Sequence, residues 1–349
     1  MHLSAAFGMT VDEIRNDGIP IAECIETLSG EDSAAGAGRT IANTVRGFAD
    51  SFERSPPDIL LLMGDRPEML AAATAALSFA IPVAHLHGGE LTYGAIDDSI
   101  RHALTKLSHI HFAATESYAA RIRQLGEDPA HVHVTGGPGL DNLRALDFLD
   151  KADLETTVGM PLDPAPLLCT FHPVTLERED TIGQLDAMLE AIDRLNLPTV
   201  FTYPNADPEG RRIIERLERF CGGRNDRALV ANLGTQAYFS MMKHVAAMVG
   251  NSSSGITEAA SFRLPVVNIG SRQGGRLRAP NIIDVEPEAD AIVRAIETAT
   301  SDAFLAGLEG LVNPYGDGHA AERIVHLLRD TPLGPSLVMK KFRDLPHNG

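Results

Sequence analysis

Short, continuously apolar runs alternate with helical segments along nearly the whole chain, and few folds accommodate that rhythm. Asp58–Met63 is such a run, ending in Gly64-Asp65-Arg66. Pro82–Leu86, Ile110–Ala113 and His131–Thr135 follow, separated by helices over Pro67–Ala80, Asp97–Leu107 and Glu116–Leu125. Runs with no polar alternation suit parallel strands buried on both faces. Before them, Thr10-Val-Asp-Glu13 has capping-box spacing for a short helix ending at Asn16-Asp17-Gly18. Ile19–Leu28 reads as a strand and Ser33–Phe52 as a long helix.

Met160–Pro166 holds three prolines in seven residues and reads as a linker, after which the alternation restarts. Strands are expected at Leu167–Phe171, Thr199–Thr202, Ala228–Val230, Ala246–Val249, Val266–Ile269 and Ile282–Val285. Helices are expected at Arg178–Leu195, Pro208–Phe220, Thr235–Lys243, Ser254–Phe262, Glu288–Ala299 and Ala320–Leu328. The chain therefore reads as two doubly wound α/β domains facing across a cleft, residues 1–160 and 161–330, with a tail at 331–349. Ligands of such sheets bind beyond the carboxyl ends of the strands. Asp65, His85, His87, Glu90, His172 and Ser252–Ser254 all fall there.

The richest of these ends is Gly250-Asn-Ser-Ser-Ser-Gly255, a turn that opens the helix leading to Glu258. The first backbone N–H groups of a helix lack intrahelical partners, and small hydroxyl residues let an anion approach them. Arg272, Arg276 and Arg278 follow the next strand, so the region suits a phosphorylated ligand. The plainer alternative is a serine-capped helix beside solvated arginines. A net charge of −17 argues against nucleic-acid or anionic-membrane partners, although positive groups gathered locally still bind an anion. The three cysteines are widely spaced without Cys-x-x-Cys, which fits a reducing, cytoplasmic setting and no zinc site. No apolar run approaches the ~18 residues needed to span a bilayer.

His85-Leu-His-Gly-Gly-Glu90 leaves a strand and enters a glycine-rich loop; Gly94-Ala-Ile-Asp97 then opens a helix. A carboxylate enclosed in a cleft can act as general acid or base, which makes Asp65, Glu90 and Asp97 candidates. Asp97 is equally a standard helix-start residue with Arg101 four positions on. His85-x-His87 with Glu90 could ligate a metal, but no third and fourth ligands are marked. His109-x-His111 is most simply a core pair. His172 is either an acid/base or phosphate-binding group, or a satisfied buried histidine.

Taken together, these residues resemble the hydrolysing UDP-N-acetylglucosamine 2-epimerases of sialic-acid-type biosynthesis. Met63-Gly-Asp-Arg66, His85–Glu90, Gly94–His111, Phe171-His-Pro-Val-Thr175, Tyr203-Pro-Asn-Ala-Asp207 and Gly250–Arg276 carry the likeness, which extends to about Leu328. The resemblance implies a GT-B-like pair of Rossmann domains with the active site between them, and the reaction UDP-GlcNAc + H2O → ManNAc + UDP. It implies that Ser252, Ser253, Glu258 and Arg272 hold the nucleotide, with Ser254 and Arg276 beside them. Asp65, Arg66, His87, Glu90, Asp97 and His172 would surround the sugar. No cofactor is implied, and a homodimer or homotetramer is.

Two departures qualify the likeness. His87 stands where some relatives carry Glu, which leaves open whether Glu90, His87 or Asp97 removes the sugar's C2 proton. The strand, Gly-Thr-Arg-type loop and helix that usually open the family precede none of these residues, so the reading frame is expected to begin upstream or the chain to be shortened. Loss of an inner strand would leave strand edges unpaired. The competing functions are a hydrolysing 2-epimerase of UDP-N,N′-diacetylbacillosamine, a glycosyltransferase of the same architecture, and an inactive, truncated nucleotide-sugar binder.

Overall fold

A computed structural model describes residues 2–3, 9, 11–31, 33–92, 96–173, 180–204 and 210–344. The chain forms two compact units. One comprises Met1–Glu90, Ile96–Thr135 and Arg323–Gly349; the other comprises Leu91–Ala95 and Gly136–Glu322.

The first unit begins with α1 (Val11–Asn16) and α2 (Ala34–Arg54), the latter capped by the Ser33 hydroxyl, which accepts from the Gly36 N–H. β1 (Leu60–Met63), α3 (Pro67–Ser78), β2 (Val83–Leu86), α4 (Ile96–Leu107), β3 (Ile110–Ala113), α5 (Glu116–Gln124) and β4 (Val132–Val134) then alternate as expected. The strands form a parallel sheet in the order β1-β2-β3-β4. Phe52, Leu62, Val83, Ile100, Leu104 and the alanine face of α3 fill its core.

Two expectations fail in this unit. Residues 19–28 form no strand; the Thr27 carbonyl accepts from Asn43 of α2 at 3.3 Å, and just beyond the segment the Ser29 N–H donates to Thr40 Oγ1 of the same helix at 3.1 Å. β1 is not buried on both faces. It pairs only with β2 among the described residues, and Leu61 and Met63 are 48% and 61% exposed.

The second unit starts earlier than residue 161. α6 (Asp141–Ala145) and α7 (Lys151–Val158) belong to it, because Leu154 and Val158 share a buried cluster with Leu168, Met248 and Val266. The segment read as a linker is itself part of that core through Met160 and Leu162. β5 (Leu167–Thr170), α8 (Thr181–Leu195), β6 (Thr199–Thr202), α9 (Gly210–Cys221), β7 (Arg227–Val230), α10 (Gly234–Met241), β8 (Ala247–Gly250), α11 (Ser253–Thr257), β9 (Val266–Ile269), β10 (Ile282–Val285), α12 (Ala289–Ala299) and α13 (Asp302–Gly307) follow. The sheet is parallel throughout, in the order β10-β9-β8-β5-β6-β7. β5 is buried on both faces: Leu167 and Cys169 enter one cluster and Leu168 the other, as alternation along a strand requires.

The chain winds one way from β5 through β7 and the other way from β8 through β10, so the order reverses between β5 and β8. In an open parallel sheet the crevice beyond such a reversal is where ligands bind. α14 (Ala320–Asp330) returns the chain to the first unit, followed by α15 (Pro335–Val338). Residues 331–344 are therefore not a free tail: Lys340 donates to the Ser108 carbonyl at 2.7 Å and to Glu127 at 2.8 Å. Among the described residues, no helix is long and apolar enough to cross a membrane.

Candidate active site

At the reversal point of the second unit, β8 ends against β5 with Gly250 paired to Thr170. Gly250 has φ +135°, and a Cβ there would lie 2.0 Å from the Thr170 carbonyl oxygen, so only glycine fits. Asn251, fully buried, donates its N–H to that same carbonyl at 3.1 Å. Its side-chain amide clamps the backbone of His172: Oδ1 accepts from the His172 N–H at 2.7 Å and Nδ2 donates to the His172 carbonyl at 2.9 Å. Ser252 then caps α11, its hydroxyl accepting from the Ser254 N–H at 3.4 Å.

The helix expected over Ser254–Phe262 is instead the five-residue α11 followed by a 3₁₀ turn over Ala259–Phe262, with Glu258 at the join. So short a helix sums few peptide dipoles, so its macrodipole contributes little here. The three arginines divide their work. Arg272 donates to the Asn251 carbonyl at 3.0 Å, Arg276 lies where its charge favours the ionised Glu258, and Arg278 turns away to Asp284 at 2.9 Å. Burial pushes the Glu258 carboxyl up, against the Thr257 hydroxyl that donates to it. Asn313 secures the far end of α11 through the Thr257 carbonyl at 2.7 Å. The Tyr238 hydroxyl is buried against Ser252, Ser254 and Thr170; burial pushes its pKa up, and the three neighbouring hydroxyls oppose that push.

In the first unit, the loops after β1 and β2 are gathered by one side chain. Arg101, 3% exposed, pairs with Asp65, donates to the Glu90 carbonyl at 3.0 Å, and reaches Asp98 at 3.4 Å. Glu90 is buried, and its Oε1 lies 2.8 Å from His87 Nδ1. His87 holds φ +64°, an uncommon conformation for a residue with a side chain, and Gly89 (φ +77°) would clash with the Tyr118 carbonyl if it had a Cβ. A carboxylate hydrogen-bonded to an imidazole on a constrained loop is suited to moving a proton. Arg66 takes the cap position of α3 without a side-chain cap bond. Asp97 is half-buried in the first turn of α4, one residue inside the helix and not at its cap; the ion pair to Arg101 there is made by Asp98.

His85 is drawn off by a bond between its Nε2 and the Gly64 carbonyl at 2.8 Å, so it does not join His87 as a ligand pair. His109 accepts from the Val83 N–H at 3.0 Å, and His111 bonds Glu127 at 3.1 Å, both buried in structural roles. Among the described residues, no group of three His, Cys, Asp or Glu side chains is placed to hold a metal. Gly94-Ala95, Val174-Thr175 and Asn205–Asp207 lie outside the described residues.

Sequence inspection passed over Asn251 and Arg101 as working residues. The faint signals were an amide directly after a buried strand and a cation on the apolar face of α4, beside Ile100 and Leu104.

Against known proteins, the profile of the UDP-N-acetylglucosamine 2-epimerase family matches residues 1–329. The GDP/UDP-N,N′-diacetylbacillosamine 2-epimerase (hydrolyzing) of Campylobacter jejuni is 42% identical over 87% of this chain and 79% of its own. The UDP-N,N′-diacetylbacillosamine 2-epimerase (hydrolyzing) of Legionella pneumophila is 37% identical over 97% and 89%. A crystal structure of UDP-GlcNAc 2-epimerase from Neisseria meningitidis bound to UDP-GlcNAc shares the fold, with TM-score 0.78 and 20% identity over 93% of this chain and 89% of that one. With a profile match over nearly the whole length and relatives this similar, the chain belongs to the UDP-N-acetylglucosamine 2-epimerase family.

Proposed function

We propose that this protein is a hydrolysing 2-epimerase that converts UDP-GlcNAc and water to ManNAc and UDP. The observation that carries this is the β5/β8 reversal, where Asn251 links the Ser252 turn, Arg272 and the clamped His172 in a chain of this family. The sugar's C2–H has no adjacent carbonyl, so direct deprotonation is too hard. Departure of UDP with the C1–O electron pair gives oxocarbenium character and acidifies that proton. A carboxylate then takes it, leaving 2-acetamidoglucal. Water adds its oxygen at C1 while a proton returns to C2 from the other face, giving the manno configuration.

In this scheme Ser252, Ser253, Ser254, Arg272 and Arg276 stabilise the departing diphosphate, and Glu258 takes the ribose hydroxyls. Glu90 with His87, Asp65 and Asp97 are the proton-moving candidates, with Arg66 and His172 beside the sugar. Asp97→Asn should lower kcat with UDP affinity little changed; normal turnover would leave Asp97 as a helix-start residue. Cytoplasmic location and a homodimer or homotetramer belong to the same proposal, and light scattering tests the second.

A second substrate, UDP-N,N′-diacetylbacillosamine, is favoured by the 42% and 37% identical relatives that carry its name. Turnover of both sugars in D2O, followed by NMR, tests the function. Free 2-epimerised sugar deuterated at C2, plus UDP, supports hydrolysing epimerisation, and the larger kcat/KM selects the substrate. UDP release only with an acceptor would make the protein a transferase. Saturable binding without turnover would make it a nucleotide-sugar binder.

A further inference from the structure

We infer that Asn251 is a positioning residue whose side chain sets His172 while its backbone carbonyl holds Arg272, so that one buried residue aligns two parts of the second unit's site. This rests on the function proposed above.

The parallel ladder between β5 and β8 ends at the Thr170–Gly250 pair. Beyond that point the backbone of β8 turns into α11 and can no longer pair with residues 171–172. Asn251 continues the pairing with its side chain: its amide offers one acceptor and one donor, the same pair a peptide group offers, and both reach His172. The absence of a Cβ at Gly250 lets the two chains come close enough for this. The Asn251 carbonyl meanwhile accepts from Arg272 Nη1 at 3.0 Å and Gln273 Nε2 at 2.8 Å, while its N–H goes to Thr170. The residue is fully buried with its backbone groups and its side-chain oxygen committed within the protein. Its work is therefore orientation, with no demand for substrate contact.

The side chain serves His172 and the backbone serves Arg272, so the two functions separate on substitution. Asn251→Asp keeps an acceptor for the His172 N–H, removes the donor to the His172 carbonyl, and leaves the carbonyl for Arg272 in place. Kinetics and UDP binding are measured for wild type, Asn251→Asp, His172→Ala and the double variant. We expect kcat to fall by about 100-fold in Asn251→Asp, the loss typical of a misplaced site group, with UDP affinity unchanged. In the His172→Ala background the same change should remove little more, because the group it positions is gone.

Unchanged kcat, kcat and UDP affinity falling in step, or additive losses in the double variant would each overturn the assignment. A wild-type protein that neither binds UDP nor turns over would instead overturn the functional proposal, and this inference with it. Hydrogen exchange of the wild type provides a test free of folding defects. The His172 amide, although outside the strand, should exchange as slowly as β5; exchange at the rate of an exposed loop would refute the clamp.

Discussion

Arg272 and Tyr238 show how differently two polar side chains at one crevice can behave. Arg272 donates to the carbonyl of Asn251, the residue directly before the Ser252 turn, which sets its positive charge beside that turn. Arg272→Ala is therefore expected to weaken UDP binding by about 2 kcal/mol, roughly 30-fold, in calorimetry; unchanged affinity would remove it from the phosphate site. The Tyr238 hydroxyl is buried against the hydroxyls of Ser252, Ser254 and Thr170, and burial pushes its pKa up in spite of them. Deleting a buried hydroxyl strands the polar groups it faces. Tyr238→Phe should leave kcat intact and lower stability by about 1 kcal/mol in urea titration. A loss of turnover would instead mean that this hydroxyl engages the ligand.

Among the elements, β2 and β3 set His85 directly beside His111 in register, and both side chains are fully buried. Burial lowers both pKa values, His85 to about 4, outweighing the Gly64 carbonyl and Glu127 that favour the charged rings. An unfolded histidine takes its proton near pH 6.5. The unfolded chain therefore binds more protons between about pH 6.5 and 4, so stability is full above that window and drains away as pH falls through it. His85 alone accounts for on the order of 3 kcal/mol. Urea titrations at pH 7 and pH 4 should show that loss in wild type and a shallower one in His85→Gln; an equal loss in both would clear His85. These strands were legible in sequence because apolar runs are local, and Ser252 was legible as a cap for the same reason. The bonds that organise the site were not. Arg101 and Asp65 lie 36 residues apart, and Asn251 and His172 lie 79 apart, so no periodicity within a segment pairs them.

Separation along the chain also explains why residues 331–344 read as a tail, although they are bonded into the first unit. Lys340 meets Glu127 across 213 positions, Phe342 rests against Gly126, and Arg343 pairs with Asp128. Burial opposes a charge on Glu127, but hydrogen bonds from His111, Lys106 and Lys340 override it and bring its carboxyl down to about 2. An unfolded glutamate titrates near 4.3. The stability from this cluster is thus present above about pH 4.3 and lost as pH falls toward 2, below the window governed by His85. Deleting residues 335–349 removes Lys340 and leaves the nearly buried Glu127 with fewer cations, a change that breaking enclosed ion pairs makes costly, at about 3 kcal/mol. Because β5 and β8 belong to the other unit, the damage should be confined. Hydrogen exchange of the deleted protein is expected to quicken in β3 and α5, with β5 and β8 as protected as in the full chain. Equal protection of β3 in both proteins would show that the last residues contribute nothing to the unit they are bonded to.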